Sequence, residues 1–460
     1  MASAAAGVAT TAALHAAIVR SVPFVEMRRS LLKSARRAHK RSERAGINAL
    51  SVRERLPSAS DDEIVMPNPE FAFAGGAFDL AGGPVVFTCR VPGTGNYWSL
   101  SLFAGNTDNF FCLNDASIGG GSLTPVKIIL CARGTTARDK ARFQATVESE
   151  ATTEAGTAVI LAESPTLFGM ALHRVFVPDR TRDGDAAIAF LREHFALAPL
   201  RTNRVQIRSQ APPSAGLGLV VRGSPLTPAL VALAAVTVLA AGNTVKRAAT
   251  LWGTSALAAI ATTVASLKVA RRVAAVRNGP WRFTPGYGSP STSAYVRAVC
   301  AVDAIFALIK EEAVYGIATT DSSGQPLRAD RSYVLAGRRD LGCRWWGIVA
   351  YDHRHFLIHN EEDRYSVNNK IVTDVAETTD HRNARTNGSN NHDQRWKAFF
   401  CAERPARAAA PGEWLPMGPR RSEHVVLVLR LYCPSPTLLP SLGTTELPTI
   451  TDEAAAQARL

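Results

Sequence analysis

The sequence predicts a mainly β protein: two jelly-roll-like β-sandwich domains with a few short helices, joined by a transmembrane helical hairpin. Short apolar runs separated by Gly, Pro and Asn turn signals fill both halves of the 460-residue chain. A stretch that is almost without charge, residues 223–267, separates those halves. A strand–turn–strand pattern that begins with Trp also occurs once in each half, which indicates a repeated domain.

The first region, residues 1–62, is predicted to hold an apolar segment and a basic helix. Residues 2–19 are uncharged and interrupted only by His15, so they read as a weak signal anchor or an organelle-targeting segment. Residues 27–44 favour a basic helix that lies either on a membrane or in solvent. A stretch of Pro, Ser and Asp at 57–62 then provides a linker.

The first β domain is predicted over residues 63–205. The best strand is 97–103, in which Trp98, Leu100 and Leu102 alternate with neighbours on the other face, the period of a half-buried strand. Repeated short strands with such turns favour a sandwich or jelly roll. The other predicted elements are strands at 71–73, 85–87, 110–113, 126–131 and 158–161 and a short helix at 185–195.

The membrane hairpin is predicted over residues 223–270. Residues 223–245 and 248–267 carry no charge, and Lys246 and Arg247 stand between them. A helix rises about 1.5 Å per residue, so roughly 20 apolar residues cross a hydrocarbon core of about 30 Å. One span, or a buried soluble helical linker, is also compatible with the Ala- and Thr-rich composition. An even number of crossings puts both halves on one side.

The second β domain is predicted over residues 278–452. A helix over 291–309 places Tyr295, Val299 and Val302 along one face. Residues 378–395 are polar and Asn-rich, which favours a mobile surface loop. The predicted strands are 313–319, 332–336, 345–351 and 425–432.

The repeat is carried by two hairpin-like stretches. Residues 98–103 and 110–114 correspond to residues 346–351 and 356–360, and each pair begins with Trp and ends with Asn. This correspondence predicts two related β domains, and a coincidental resemblance of two hairpins is the alternative.

The net charge of +13 is located beside the apolar segments. Residues 20–55 carry a net +8, and seven basic residues between 246 and 282 have no acid among them, so the rest of the chain carries −2. Basic residues in these places favour contact with anionic lipid head groups. The aromatic and basic interleaving of a nucleic-acid groove is missing, so we expect no nucleic-acid partner.

The seven cysteines are scattered singly and form no CxxC pair. This pattern argues against a disulfide framework and a zinc ribbon, and it favours buried free thiols. No phosphate-binding loop, dinucleotide fingerprint or nucleophile elbow is present, so no cofactor is expected.

The second half contains a series of short motifs at residues 279–281, 311–315, 321–327, 345–352, 356–360, 364–366, 414–416, 429–432 and 447–450. Together these motifs resemble the bacterial domain of unknown function 1214. The first half resembles the partner domain of unknown function 1254 more loosely, through residues 78–80, 83–84, 97–103, 109–111 and 114–115. The chain is thus similar to a fusion of the two domains.

The resemblance implies mainly β, jelly-roll-like domains and no established activity. In that family the two domains often occur as separate small proteins, each with its own N-terminal span. A fusion that keeps both domains on one side would need a joint that crosses the membrane twice. The side itself stays undecided, since outward-facing domains would conflict with the positive-inside preference of the basic clusters.

Two groups of residues are candidates for chemistry. His353 and His355, with His359 and Glu361, would suit a cupin-like metal site, but the pair falls in a turn and we expect no metal. Glu312, Asp352, Arg364 and Tyr365 would supply a general acid or base if they were gathered in one polar site. The alternative is that Arg364 pairs with Asp352 or Glu312 to fix the hairpin.

Two classes of function follow. The leading expectation is an integral membrane protein of the cell envelope whose paired β domains bind a small molecule, lipid, glycan or protein partner without catalysis. The alternative is a membrane-tethered hydrolase acting on lipid or glycan through Glu312, Asp352, Arg364 and Tyr365. A pocket that gathers those four side chains would favour the enzyme. Homo-oligomerisation is left open by the sequence.

Overall fold

The protein is mainly β, with four sheets and six helices in the part of the chain that the structure describes. The computed structural model describes residues 2–40, 47–61, 66–92, 97–118, 123–151, 156–200, 245–372, 394–406, 408, 410–418 and 424–454. The helices are α1 (Ala2–Lys40), α2 (Ala137–Ala151), α3 (Arg180–His194), α4 (Val245–Val273), α5 (Ala294–Asp303) and α6 (Leu438–Ser441).

The first half of the chain builds two sheets. Its strands are β1 (Ser51–Val52), β2 (Phe71–Asp79), β3 (Val85–Arg90), β4 (Trp98–Ala104), β5 (Asn109–Asn114), β6 (Pro125–Ala132), β7 (Ala158–Ser164), β8 (Phe168–Phe176) and β9 (Ala196–Pro199). One sheet has the order β1-β2-β8-β4-β5 and the other has the order β7-β6-β3-β9. Apolar residues of both sheets and of α3 share one hydrophobic core, in which Trp98 and Phe87 are fully buried.

The second half builds two sheets in the same way. Its strands are β10 (Val276–Asn278), β11 (Trp281–Phe283), β12 (Ala313–Ala318), β13 (Tyr333–Arg338), β14 (Cys343–Asp352), β15 (Ser366–Asn368), β16 (Arg395–Cys401), β17 (Trp414–Pro416), β18 (Val425–Pro434) and β19 (Thr449–Asp452). Their orders are β10-β11-β12-β18-β14-β15 and β17-β16-β13-β19. Trp346 and Trp396 stack at 4.9 Å between ring centroids in the shared core.

The two halves have equivalent topology. The order β2-β8-β4-β5 corresponds to β12-β18-β14-β15, and β7-β6-β3-β9 corresponds to β17-β16-β13-β19. The pairing senses also agree, because β6–β7 and β16–β17 are parallel whereas the other corresponding pairs are antiparallel. Ser99 lies opposite Arg174, and Gly347 lies opposite Arg430, so the register aligns Trp98 with Trp346, as the sequence repeat predicts.

The predicted correspondence between residues 110–114 and residues 356–360 is wrong. The strand that pairs with β14 is β15, whereas residues 356–360 contribute only a bridge between Leu357 and Tyr351. The reason is a pair of tight turns. The Asp352 carboxylate accepts the backbone N–H groups of Arg354 and Phe356, both at 2.9 Å, and the chain turns again before β15. The residue equivalent to Asn114 is therefore Asn368.

The helix predicted over 291–309 is also too long. It begins after the N-cap Ser293, whose hydroxyl accepts the N–H of Val296, and it ends at Asp303. Phe306 has a φ of +67°, a conformation that no helix continues. Among the elements longer than four residues, the sequence patterns did not predict α2, β8 and β16. The shorter elements that they did not predict are β1, β9, β10, β11, β15, β17, β19 and α6.

Helices α1 and α4 lie side by side and run parallel. The Ser255 hydroxyl donates to the Gly7 carbonyl at 3.4 Å, and Nδ1 of His15 lies 2.9 Å from the Thr263 hydroxyl. Both contacts join residues 248 positions apart, so the two helices advance in the same direction. Ala259 is fully buried between them against Leu14.

Among the residues that the structure describes, two helical segments are long and apolar enough to cross a membrane, Ala5–Leu32 and Gly253–Val273. The predicted basic helix, residues 27–44, continues the apolar segment in α1 without a break as far as Lys40, and the first span takes in only its residues 27–32. The second corresponds to the second arm of the predicted hairpin. The first arm, residues 223–245, and most of the predicted loop 378–395 lie outside the described residues.

Candidate functional site

The two halves meet through the outer faces of their larger sheets. Phe71, Tyr97 and Phe176 of the first half pack against Trp345 and Tyr432 of the second. Phe71 and Trp345 are in edge-to-face contact with ring centroids 5.5 Å apart, and Trp345 and Tyr432 lie 4.5 Å apart. Such aromatic pairs contribute packing area and favourable quadrupole contacts, so this interface resembles the interior of a domain.

A carboxylate of the first half is buried in this interface. Glu70, just before β2, accepts hydrogen bonds at Oε1 from the Ser366 hydroxyl at 2.7 Å and from Nδ2 of Asn368 at 2.6 Å. A Cβ on Gly347 would lie only 2.6 Å from its Oε2, so the absence of a side chain there lets the carboxylate approach β14 closely.

A carboxylate of the second half occupies the equivalent place. Glu312, just before β12, accepts a hydrogen bond at Oε1 from the Tyr97 hydroxyl and one at Oε2 from Nδ2 of Asn114 at 2.7 Å. Asn114 ends β5 as Asn368 ends β15. Each half therefore presents a glutamate to an asparagine of the other half.

Two buried arginines make reciprocal contacts between the halves in the same way. On the central strand of each larger sheet, Arg174 donates to the carbonyl of Phe306 at 3.3 Å and Arg430 donates to the carbonyl of Met66 at 2.8 Å. Each acceptor belongs to the other half, in the segment that leads to its glutamate. Phe306 and Met66 both have positive φ, at 67° and 51°. The contacts are thus related by an approximate two-fold axis, the geometry of an isologous interface.

Burial controls the electrostatics of this interface. Desolvation raises the pKa of Glu70 to about 7, although the hydrogen bonds from Asn368 and Ser366 and the charge of Arg430 lower it. Desolvation also raises the pKa of Glu312, against hydrogen bonds from Tyr97 and Asn114 and the charge of Arg174. Both carboxyl groups therefore hold their protons more tightly than an exposed glutamate does.

The structure separates the four residues proposed as a site. In β18, Val425 lies opposite Asp352, and Tyr432 lies opposite Ala313, the residue that follows Glu312. Seven residues of strand place these positions about 23 Å apart, at roughly 3.3 Å per residue. Glu312 therefore lies far from the end of β14, where Asp352 is found.

Asp352, Arg364 and Tyr365 share one end of the second half, where they hold turns. The Tyr365 hydroxyl donates to Asp363 at 2.5 Å and accepts the N–H of Ala59 at 3.1 Å, which fixes a segment of the first half. Arg364 lies 3.9 Å from Glu362.

The histidine pair lies in the turn that follows β14. His353 is exposed and His355 has a φ of +68°. Within the described part of the chain, no group of three or more His, Cys, Asp or Glu side chains is placed to hold a metal ion. The seven cysteines are free thiols.

Four interface residues were not predicted from the sequence: Glu70, Arg174, Asn368 and Arg430. A signal was present for the arginines. Arg430 stands inside the apolar run of β18, and a charged residue in such a run indicates a buried partner. Glu70 had no comparable signal, because it precedes its strand in a Pro- and Asn-containing turn.

Two protein-family models match the chain, one in each half. Residues 47–199 match the model of a family described as "Protein of unknown function (DUF1254)", and residues 312–436 match "Protein of unknown function (DUF1214)". No curated protein matches the chain.

One solved structure has a similar fold over nearly the whole chain. The crystal structure of the VPA0106 protein from Vibrio parahaemolyticus has a TM-score of 0.61 at 12% identity and covers 96% of this chain and 99% of its own. A putative uncharacterised protein from Burkholderia cenocepacia has a TM-score of 0.47 at 13% identity, covering 98% and 97%. The first likeness shows a shared fold. The chain belongs to the DUF1254 and DUF1214 families and carries one domain of each in a single polypeptide.

Proposed function

We propose that this is an integral membrane protein whose two β domains, each a jelly-roll-like sandwich, lie on the same side of the membrane and bind a ligand or partner without catalysis. The domains are those expected from the sequence, residues 63–205 and 278–452. The observation that carries the proposal is the parallel register of α1 and α4. α4 is followed at once by β10 of the second domain, and α1 contacts the β domains through Met27 in its carboxyl-terminal half.

The surface of α4 supports membrane insertion. A narrow stripe of small residues, Ser255, Ala259 and Thr263, is buried against α1. The other faces of this part of α4 are exposed and apolar, with Leu257 71% exposed and Ile260 52% exposed. Close contact through small residues is typical of helices in lipid, where apolar side chains face the hydrocarbon instead of a protein core.

Parallel helices constrain the path of the chain. β9 ends at Pro199 within the first β domain. α4 begins at Val245, and its 29 residues place that end about 43 Å from the end that meets the second β domain. If α1 and α4 cross the membrane, the chain has to return across it between these points. That is the role expected for residues 223–245, and it makes three crossings with Ala2 on the side opposite the domains.

The dispersal of the four candidate residues favours binding over hydrolysis. Glu312 uses both of its carboxylate oxygens to hold Tyr97 and Asn114, and Asp352 uses its carboxylate to hold a turn. A general acid or base must reach a substrate within hydrogen-bonding distance. Glu312 and Asp352 therefore serve better as supports of the fold than as one catalytic group.

The test is protease protection in sealed vesicles, with one tag after Ala2 and another at Leu460. We expect both β domains and the Leu460 tag to be digested or protected together, and the Ala2 tag to behave in the opposite way. Digestion of only one domain would refute the shared side, and release of the chain by carbonate would refute the spans.

A disulfide cross-link tests the helix register. Gly7→Cys with Ser255→Cys should cross-link in membranes, because the Ser255 hydroxyl lies 3.4 Å from the Gly7 carbonyl. The matched control, Gly7→Cys with Lys268→Cys, should not, because an antiparallel pair would be needed to bring those positions together. The reverse result would refute the parallel arrangement.

A further inference from the structure

Basic side chains of α1 and α4 lie at one level of the helix pair. His15 contacts Thr263, and five residues further along each helix stand Arg20 and Lys268. Because the helices are parallel with a constant offset of 248 positions, these two cations occupy the same height. Arg272 follows Lys268 by one turn. We call Arg20, Lys268 and Arg272 the basic collar.

The collar is exposed and has little acidic compensation. All three side chains are exposed. Arg271, their neighbour, is held instead by Asp303 through two hydrogen bonds of 2.6 Å. The sequences of α1 and α4 contain a single acid, Glu26, which pairs with Arg29 at 2.9 Å.

The collar marks a boundary. On one side of it, α4 exposes Leu257, Ile260 and Val264. On the other side, α1 carries Met27, which is fully buried in the cluster between the β domains. Tyr295 contacts His15 at 3.1 Å and is 39% exposed, so a tyrosine stands near the same boundary. Tyrosine and basic residues are both enriched where a helix leaves the hydrocarbon.

We propose that Arg20, Lys268 and Arg272 bind the phosphate groups of anionic phospholipids in the leaflet that faces the β domains. This inference rests on the membrane anchoring proposed above and goes beyond it, since it assigns the domains to the side whose leaflet is richer in anionic lipid. Each cation near such a surface strengthens binding roughly fivefold, so three give on the order of a hundredfold, and salt weakens the effect.

The experiment compares lipids retained by the full-length protein. The protein is reconstituted in vesicles of phosphatidylcholine with a minor fraction of phosphatidylglycerol, extracted gently, and its retained lipids are quantified by mass spectrometry. The test variant is Arg20→Gln/Lys268→Gln/Arg272→Gln. The control, Arg133→Gln/Arg138→Gln/Arg142→Gln, removes the same charge from exposed positions on and before α2.

We expect the wild type and the control to retain phosphatidylglycerol well above its bulk fraction. The enrichment in the collar variant should be at least tenfold lower than in the wild type. High salt should lower the wild type toward the collar variant. Equal enrichment in all three proteins, or equal loss in the control, would overturn the proposal while leaving the anchoring intact. Release of every version by carbonate would overturn both.

Discussion

Glu70 and Glu312 are equivalent residues with different donors. Glu70 is held by a serine and an asparagine, whereas Glu312 is held by a tyrosine and an asparagine. Removing a donor leaves part of a buried carboxyl group without a partner, which costs about 1–3 kcal/mol. The two asparagines therefore offer a matched pair of perturbations.

Asn114→Ala and Asn368→Ala should each lower the free energy of unfolding by about 1–3 kcal/mol. The exposed control Gln144→Ala, on α2, should change it by less than about 0.5 kcal/mol. Chemical denaturation of the full-length protein in detergent measures all three. Asparagine variants as stable as the control would contradict a role for these contacts in joining the halves.

Glu70 should also make the stability depend on pH. The folded group keeps its proton up to a pKa of about 7, whereas the unfolded group releases it near 4.5. Its contribution to stability is therefore complete below about 4.5 and is lost as pH rises toward 7, by up to roughly 3 kcal/mol. Glu70→Gln should match the wild type near pH 4.5 and gain on it by pH 8.

The measurement is the melting temperature of both proteins across that range. Glu311→Gln, at an exposed neighbour of Glu312, is the control and should run parallel to the wild type. If the melting temperatures of Glu70→Gln and the wild type differ by the same amount at every pH, the pKa of Glu70 is the same in the folded and unfolded states, and the prediction fails.

His173 should act in the opposite sense. It is fully buried in the core of the first half against Phe195, with ring centroids 4.1 Å apart, and burial lowers its pKa well below 6.5. The unfolded histidine gains a proton below about pH 6.5 while the folded one stays neutral, so stability falls with falling pH. His173→Leu should lose this dependence, and exposed His359→Leu should keep it. If His173→Leu and the wild type lose melting temperature equally as the pH falls, His173 is not the source of the dependence.

At the scale of elements, alternation and turn signals predicted about half of the strands that the structure describes. Their positions agree with the structure within a few residues, except that β2 extends to Asp79. β8 was missed because His173 and Arg174 interrupt its apolar pattern, although one faces the core and the other faces the second half. The site could not be predicted, because its contacts join residues that are about 200 to 300 positions apart. Only pairing of the two sheets brings them together.

The buried stripe of α4 gives a prediction for one element. Ala259→Leu adds volume between two closely packed helices and should weaken their contact, as overpacking commonly costs 1–3 kcal/mol. Ala258→Leu makes the same change on the exposed face and should be tolerated. The yield of the disulfide between Gly7→Cys and Ser255→Cys, measured in each variant, gives the difference. Equal yields in both variants would argue against close helix contact.

At the scale of the whole molecule, the halves correspond to two domains that one chain holds face to face. A protease site placed between Leu200 and Val245 allows the folded protein to be cut after purification. We expect the two pieces to stay together on size exclusion, because the interface buries aromatic rings and paired polar groups from both sides. Cut protein carrying Asn114→Ala and Asn368→Ala together should separate more readily, and separation of the unmodified pieces would contradict an interface of this strength.

The approximate two-fold axis has a consequence for how such a protein can change over generations. In a dimer of identical chains, one codon specifies both copies of a symmetric contact, so a mutation alters both at once. Here Glu70 and Glu312 are encoded separately, and so are the groups that they meet. One contact can drift while the other still holds the halves together, and the present inequality of donors, serine on one side and tyrosine on the other, is what such independent drift would leave behind.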